Sequence, residues 1–189
     1  MLSILIPNAQ EQAINILLNE CEALFPEAQI IIATDRYRKG KGHAIRRALS
    51  LSTGDIVCFL DGDLDIHPSM INRLLPHLDE FDIVCGKKDP GSRLDRKILT
   101  ILSRIYIWIM FRIPVDTQTG IKVFKREALS TWKTNSFAFD IEILYNAKKK
   151  GMKMFDIGIE AKTSRRMKLK SIFVTLVESV KIRVGVYDD

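Results

Sequence analysis

Cysteine is scarce in this chain. Cys21, Cys58 and Cys85 are an odd, scattered set with no CxxC pair, so neither a disulfide framework nor a cysteine zinc site is expected, and a reducing compartment fits. Long hydrophobic runs are missing too: the longest unbroken apolar stretch covers residues 105–111, against the ~20 residues a helix needs to cross a bilayer. No membrane-spanning segment is expected. Residues 1–7 form a short apolar run that ends at Pro7, unlike the basic, apolar and small-residue succession of a secretory leader. No Ser-, Gly- or Pro-rich stretch and no repeat occurs, which argues against long disorder or an internal linker.

What remains is a chain of 189 residues, 47% of them hydrophobic, enough to fill one core and therefore one domain. Its formal charge of +6 suits nucleic acid, anionic lipid or a phosphorylated substrate equally. Placement is more selective. Between residues 162 and 183 seven basic residues (Lys162, Arg165, Arg166, Lys168, Lys170, Lys181, Arg183) stand against Glu178 alone, interleaved with apolar ones. That mixture suits a lipid surface better than a DNA-binding tail, so a membrane surface is the expected partner and nucleic acid is not.

Residues 3–6, 29–33, 56–60, 83–85, 122–124 and 154–159 are expected as strands, and the segments between them carry helical spacing. Helices are expected over 10–25, 43–51, 68–78, 98–113, 139–150 and 170–184. Strands alternating with helices imply an α/β layered fold, and the wholly apolar run 56–60 fits a strand covered on both faces. The segment 98–113 is apolar around most of its circumference, relieved mainly by Thr100, Ser103, Arg104 and Arg112, which suits a helix that is buried or lies against lipid.

Directly after the strand at 56–60 come Asp61, Gly62, Asp63, Leu64 and Asp65. In an open α/β sheet, ligands bind outside the carboxyl ends of strands. Alternate carboxylates on a short loop can share one hard cation, Mg²⁺ or Mn²⁺, and leave room for water and phosphate oxygens. An EF-hand is a poor alternative, since Ile66 and Asn72 stand where that loop needs glycine and glutamate. The same residues would also serve as an acidic turn before the helix near Pro68. Taken alone, they leave both readings open.

Further segments narrow the choice. Asp61-Gly62-Asp63 after an apolar strand, residues 40–45 (GKGHAI), 54–68, 116–124 (DTQTGIKVF) and 137–145 (FAFDIEILY) occur in one order. In that order they resemble dolichyl-phosphate mannosyltransferases and related polyprenyl-phosphate glycosyltransferases. The resemblance implies a GT-A fold, a Rossmann-like α/β/α sandwich with a mostly parallel central sheet. It also implies transfer of a hexose, mannose or glucose, from GDP-mannose or UDP-glucose to a polyprenyl phosphate, with inversion.

By that resemblance Asp61 lies nearest the nucleotide and ribose, and Asp63 and Asp65 hold the cation that bridges the two phosphates. The full expected metal set is Asp61, Asp63 and Asp65. Lys88, Arg93 and Arg104 fall where phosphates would be met, and arginine's fork suits that role. Asp116 and Gln118 resemble the acceptor-end pair. Pro7, Asp35 and Lys41 complete the expected donor site, and Asp140 and Glu142 rank behind it. The loop 39–42 lacks the Walker A pattern; a basic turn and a phosphate cradle are equally open.

Two departures stand out. Only residues 34–39 separate the second strand from Gly40, so about one βα unit of the family pattern is missing and the N-terminal half is shortened. Where many members of the resembled family append transmembrane helices, none is expected in these 189 residues. The expected division is a catalytic domain over 1–165 and an amphipathic basic helix within 166–189, bound peripherally at the cytoplasmic face of a membrane. Self-association is left open. The rival expectations are a glycosyltransferase with a non-lipid acceptor and a non-catalytic membrane-associated module of the same fold. A sugar-nucleotide pyrophosphorylase is disfavoured, because Pro7-Asn8-Ala9-Gln10 stands where a glycine-rich loop belongs.

Overall fold

The computed structural model describes residues 1–8, 13–35, 38–89, 94–161 and 169–186. Six strands form one sheet: β1 (Leu2–Asn8), β2 (Gln29–Thr34), β3 (Ile56–Leu60), β4 (Ile83–Lys88), β5 (Ile121–Lys125) and β6 (Met154–Ile159), in the order β2-β1-β3-β5-β4-β6. β1 pairs in parallel with β2 and β3, and β4 with β6, whereas β5 runs antiparallel to both β3 and β4. The sheet is therefore mixed at its centre. A strand as short as Ile121–Lys125 carries no mark of direction in its sequence; the direction comes from the chain entering β5 at the end where β3 leaves.

Alternation along the strands sends successive side chains to opposite faces. Leu5, Val57, Phe59, Cys85 and Phe124 pack on one face with α2 (Lys41–Leu51), α4 (Leu94–Phe111), α5 (Phe139–Lys149) and Ile182 of α6 (Leu169–Arg183). Ile4, Ile6, Cys58, Leu60, Val84 and Val123 pack on the other with α1 (Ile14–Leu24) and α3 (Met70–Leu74). The result is the expected α/β/α sandwich.

Boundaries shift for local reasons. The helix expected over 68–78 is α-helical only to Leu74 and continues as a 3-10 turn over Leu75–Asp79; Pro76 removes a backbone donor there. α4 begins at Leu94, a turn before the apolar pattern, and ends where Arg112 takes a φ of 54°. α6 is fastened to the body by Tyr106 Oη and Ser179 Oγ at 2.8 Å and by the hydrogen bond from Ser136 Oγ to Glu178. No helix among the described residues is long and apolar enough to cross a membrane.

Candidate active site

The acidic loop starts where β3 ends, beside the ends of β1 and β4 and the entry to β5. Leu64, between two aspartates, has a φ of 58°. A leucine in the left-handed region is strained, and here it turns the loop so that Asp63 Oδ1 accepts the Asp65 N–H at 3.2 Å. Gly62 is pressed against Pro7 at the end of β1: a Cβ there would lie 2.8 Å from the Pro7 carbonyl oxygen. On the other side, the Asp61 N–H donates to the Gly120 carbonyl at 2.8 Å, extending the β3–β5 ladder by one rung into the loop.

Lys41, at the start of α2, donates from Nζ to Asp61 Oδ1 at 2.6 Å. Burial opposes charge on both groups, and each overcomes it through the other. Asp61 is held below its ordinary value by Lys41, then by Lys122 and Lys88; Lys41 is held above its own by Asp61, Asp140 and Asp63. Lys88, at the end of β4, brings Nζ to 4.0 Å from Asp65 Oδ2. Cationic side chains thus surround the carboxylates, a charge balance suited to an anionic ligand bound with a cation.

Of the expected metal set Asp61, Asp63 and Asp65, Asp61 is bonded to Lys41 and Asp63 to the Asp65 amide. Among the described residues no three carboxylate, imidazole or thiolate groups are gathered to hold one ion. Asp63 and Asp65 remain as hard oxygen donors on one turn. That set still fits Mg²⁺ or Mn²⁺, which bind by one or two carboxylates when substrate phosphates complete the shell.

A second cluster lies along α4. Arg104 Nη2 donates to Asp116 Oδ2 at 2.7 Å and to the Lys88 carbonyl at 3.3 Å, while its Nε is buried with no hydrogen-bond partner among the described residues. Asp116 Oδ1 accepts the Gln118 N–H at 2.9 Å, and Gln118 Nε2 donates to Ser103 Oγ at 2.6 Å. Ser103 and Arg104 of α4 therefore grip the segment that leads into β5, so Arg104, Asp116, Gln118 and Lys88 meet in one place.

Asp35 is engaged otherwise. Its two carboxylate oxygens accept the N–H groups of Lys39 and Gly40 at 2.9 and 2.7 Å. Gly40 (φ 114°) and Gly42 press on the backbone of residues 134–135, where added Cβ atoms would come within 2.3 and 2.6 Å of Asn135 O and Thr134 O. The loop 39–42 is packed, not slack. Glu142 is spent on the same packing, accepting from Lys133 N and Thr134 N at 2.8 Å. Arg93 lies outside the described residues.

Two residues escaped the sequence reading of the site. Lys122 is 2% exposed, donates to Thr119 O at 2.6 Å and pairs with Asp140 Oδ1 at 2.9 Å. Gly120 leaves the space that the Asp61 carboxylate fills. The signal was a lysine inside an apolar strand.

The profile described as glycosyl transferase family 2 matches residues 17–131, more than half of the chain and the whole span from α1 through both clusters. The chain belongs to glycosyl transferase family 2. Similar proteins include the dolichyl-phosphate beta-glucosyltransferase of Dictyostelium discoideum, 27% identical over 152 residues and covering 71% of this chain and 46% of that protein. The Homo sapiens dolichyl-phosphate beta-glucosyltransferase is 25% identical over 158 residues, covering 74% and 48%. This family 2 chain spans about half the length of those relatives.

Among solved structures, the Mycobacterium tuberculosis glucosyl-3-phosphoglycerate synthase in complex with Mn²⁺ and UDP-glucose superposes with a TM-score of 0.79 at 17% identity, covering 98% of this chain and 79% of that one. The Rubrobacter xylanophilus mannosyl-3-phosphoglycerate synthase gives 0.74 at 20% identity, covering 97% and 74%. Both likenesses are of fold, and they place the family 2 chain in the GT-A architecture.

Proposed function

We propose that this chain transfers a hexose, glucose ahead of mannose, from a nucleotide diphosphate sugar to a polyprenyl phosphate at a membrane surface. The observation that carries the acceptor is the two-sidedness of α4. Toward the site it presents Ser103 and Arg104, bonded to Gln118 and Asp116. Toward solvent it exposes Ile98, Leu102, Ile105, Trp108 and Ile109, with Trp108 53% exposed. Large apolar groups at that density mark a contact surface.

Basic and aromatic groups border it. Arg112 stacks on Trp108 with 4.2 Å to the ring centroid. Neighbouring α6 exposes Phe173, Val177 and Val180 beside Lys181 and Arg183, and Val184 just after it is exposed too. An amphipathic helix with cationic flanks binds anionic lipid reversibly. The cytoplasmic leaflet, which is the anionic one, suits these charges.

Donor chemistry rests on the first cluster. Asp63 and Asp65 would hold Mg²⁺ or Mn²⁺, which when bound neutralises the diphosphate and eases its departure. Lys41 and Lys88 stand beside the acidic loop, where their ammonium groups balance phosphate charge. Asp61 is kept ionised next to them. Attack by an acceptor phosphate oxygen forms the new C–O bond as the bond from the anomeric carbon to the diphosphate breaks, which inverts the configuration. The acceptor is already anionic, so the chain's main contribution is positioning. Glucose stands ahead of mannose because the curated relatives are named as beta-glucosyltransferases.

A second reading, a soluble phosphorylated acceptor, is favoured by the phosphoglycerate-using enzymes among the similar structures. Calorimetric titration with UDP-glucose and GDP-mannose, each with and without Mn²⁺, tests the donor half. Cation-dependent binding of UDP-glucose is expected; a folded sample that binds neither nucleotide sugar overturns the proposal. Recruitment to vesicles separates the acceptors, since the soluble reading predicts none.

A further inference from the structure

Lys122 is the most buried cation described in the molecule, and neither the motif reading nor the transfer chemistry uses it. It sits on β5 opposite Phe59 of β3 and Cys85 of β4, on the sheet face that also carries Phe124. A lysine in such surroundings is retained only if it is paired. Its Nζ meets Asp140 Oδ1 at 2.9 Å, in the first turn of α5, and donates to Thr119 O at 2.6 Å. The next residue after Thr119 is Gly120, whose carbonyl accepts the Asp61 N–H at 2.8 Å and whose missing side chain makes room for the Asp61 carboxylate. One ammonium group therefore links the start of α5 to the backbone that seats the acidic loop.

We propose that Lys122, anchored by Asp140, is a positioning residue of the donor site: it fixes the Thr119–Gly120 backbone against which Asp61 is aimed. It touches neither donor nor acceptor. Its effect on ligand rests on the proposed donor reading, while its effect on the loop does not. The pair spans from the strand that crosses the sheet centre to a helix 18 positions later in the sequence, so it couples the seating of the loop to the docking of α5.

A single Lys122→Met substitution would strand the Asp140 carboxylate and could unfold the chain for that reason alone. The informative variant is Lys122→Met with Asp140→Leu, which replaces a buried ion pair by apolar groups of similar volume, an exchange that is often neutral for stability. In that double variant the Thr119 carbonyl has no donor. With unfolding by urea unchanged, amide exchange at Asp61, measured without ligand, is expected to quicken about tenfold through local opening. The dissociation constant for UDP-glucose in Mn²⁺ is expected to rise about tenfold. A folded double variant that protects the Asp61 amide as the wild type does would overturn the proposal. If exchange quickens while the wild type itself binds no nucleotide sugar, the positioning role stands and the donor reading fails. If exchange quickens and donor affinity is unchanged, the role in ligand binding is overturned.

Discussion

Gly120 and Asp61 occupy one space. A methyl group on Gly120 would stand 2.2 Å from Asp61 Oδ2 and 2.5 Å from its Cγ, although Gly120 does not have a positive φ. Glycine is required here by contact rather than by conformation. Gly120→Ala is expected to displace the Asp61 carboxylate from Lys41 and to cost about 1–3 kcal/mol of stability, as overpacking does. Denaturant unfolding together with donor titration checks it.

Lys41 and Asp61 keep each other ionised across the ordinary pH range. Asp61 is burdened by burial yet depressed below 3.8 by Lys41, Lys122 and Lys88, so its contribution is present above 3.8 and lost as pH falls through the lower folded value. Lys41 is burdened by burial yet raised above 10.5, so its contribution is present below 10.5 and lost as pH rises through the higher folded value. Between those limits the pair does not titrate. Lys41→Met is therefore expected to lower stability by a constant amount from pH 5 to 9, roughly 1–2 kcal/mol for a lost charged hydrogen bond, and the gap should narrow in acid below 3.8, as Asp61 protonates, and in alkali above 10.5, as Lys41 loses its charge. Urea titrations at several pH values measure this.

The layers of the fold were readable because the strands are short and mainly apolar, β3 wholly so, and the helices keep their spacing. The direction of β5 was not, since a five-residue strand such as Ile121–Lys125 carries no mark of polarity in its sequence. Arg104 was legible as a charge interrupting an apolar helix, and its partner Asp116 as part of the following motif. Lys122 was passed over because its partner lies on another element, and a lysine within a strand reads as a solvent-facing residue until the sheet is assembled. Asp35 was assigned to the donor from its place just after the second strand, and in the structure its two oxygens accept the Lys39 and Gly40 amides.

Asp63 carries a separate expectation. Asp63→Ala removes a hard oxygen donor and one hydrogen bond to the Asp65 amide, which costs no more than about 1 kcal/mol. The variant should unfold close to the wild type and lose the Mn²⁺ dependence of UDP-glucose binding. Calorimetry with and without the cation checks it; retained dependence would remove Asp63 from the metal assignment.

The outward face of α4 makes a prediction about surfaces. Ile105→Asp with Ile109→Asp changes two exposed side chains, so folding should be preserved. Binding to vesicles rich in anionic lipid should fall about tenfold or more, since apolar insertion and charge attraction act together. Cosedimentation measures it. Sedimentation velocity on the same samples shows whether the substitutions instead break a self-associated form.

The most direct test of the central claim is transfer itself: labelled UDP-glucose, Mn²⁺ and polyprenyl phosphate in anionic vesicles, with this chain added and the lipid extracted. The account predicts label in the lipid fraction as a glucosyl phosphate with inverted configuration, and none when Asp63 is replaced by alanine. Label that moves only to a soluble phosphorylated acceptor, or that stays on the nucleotide in a sample shown to be folded, would contradict it.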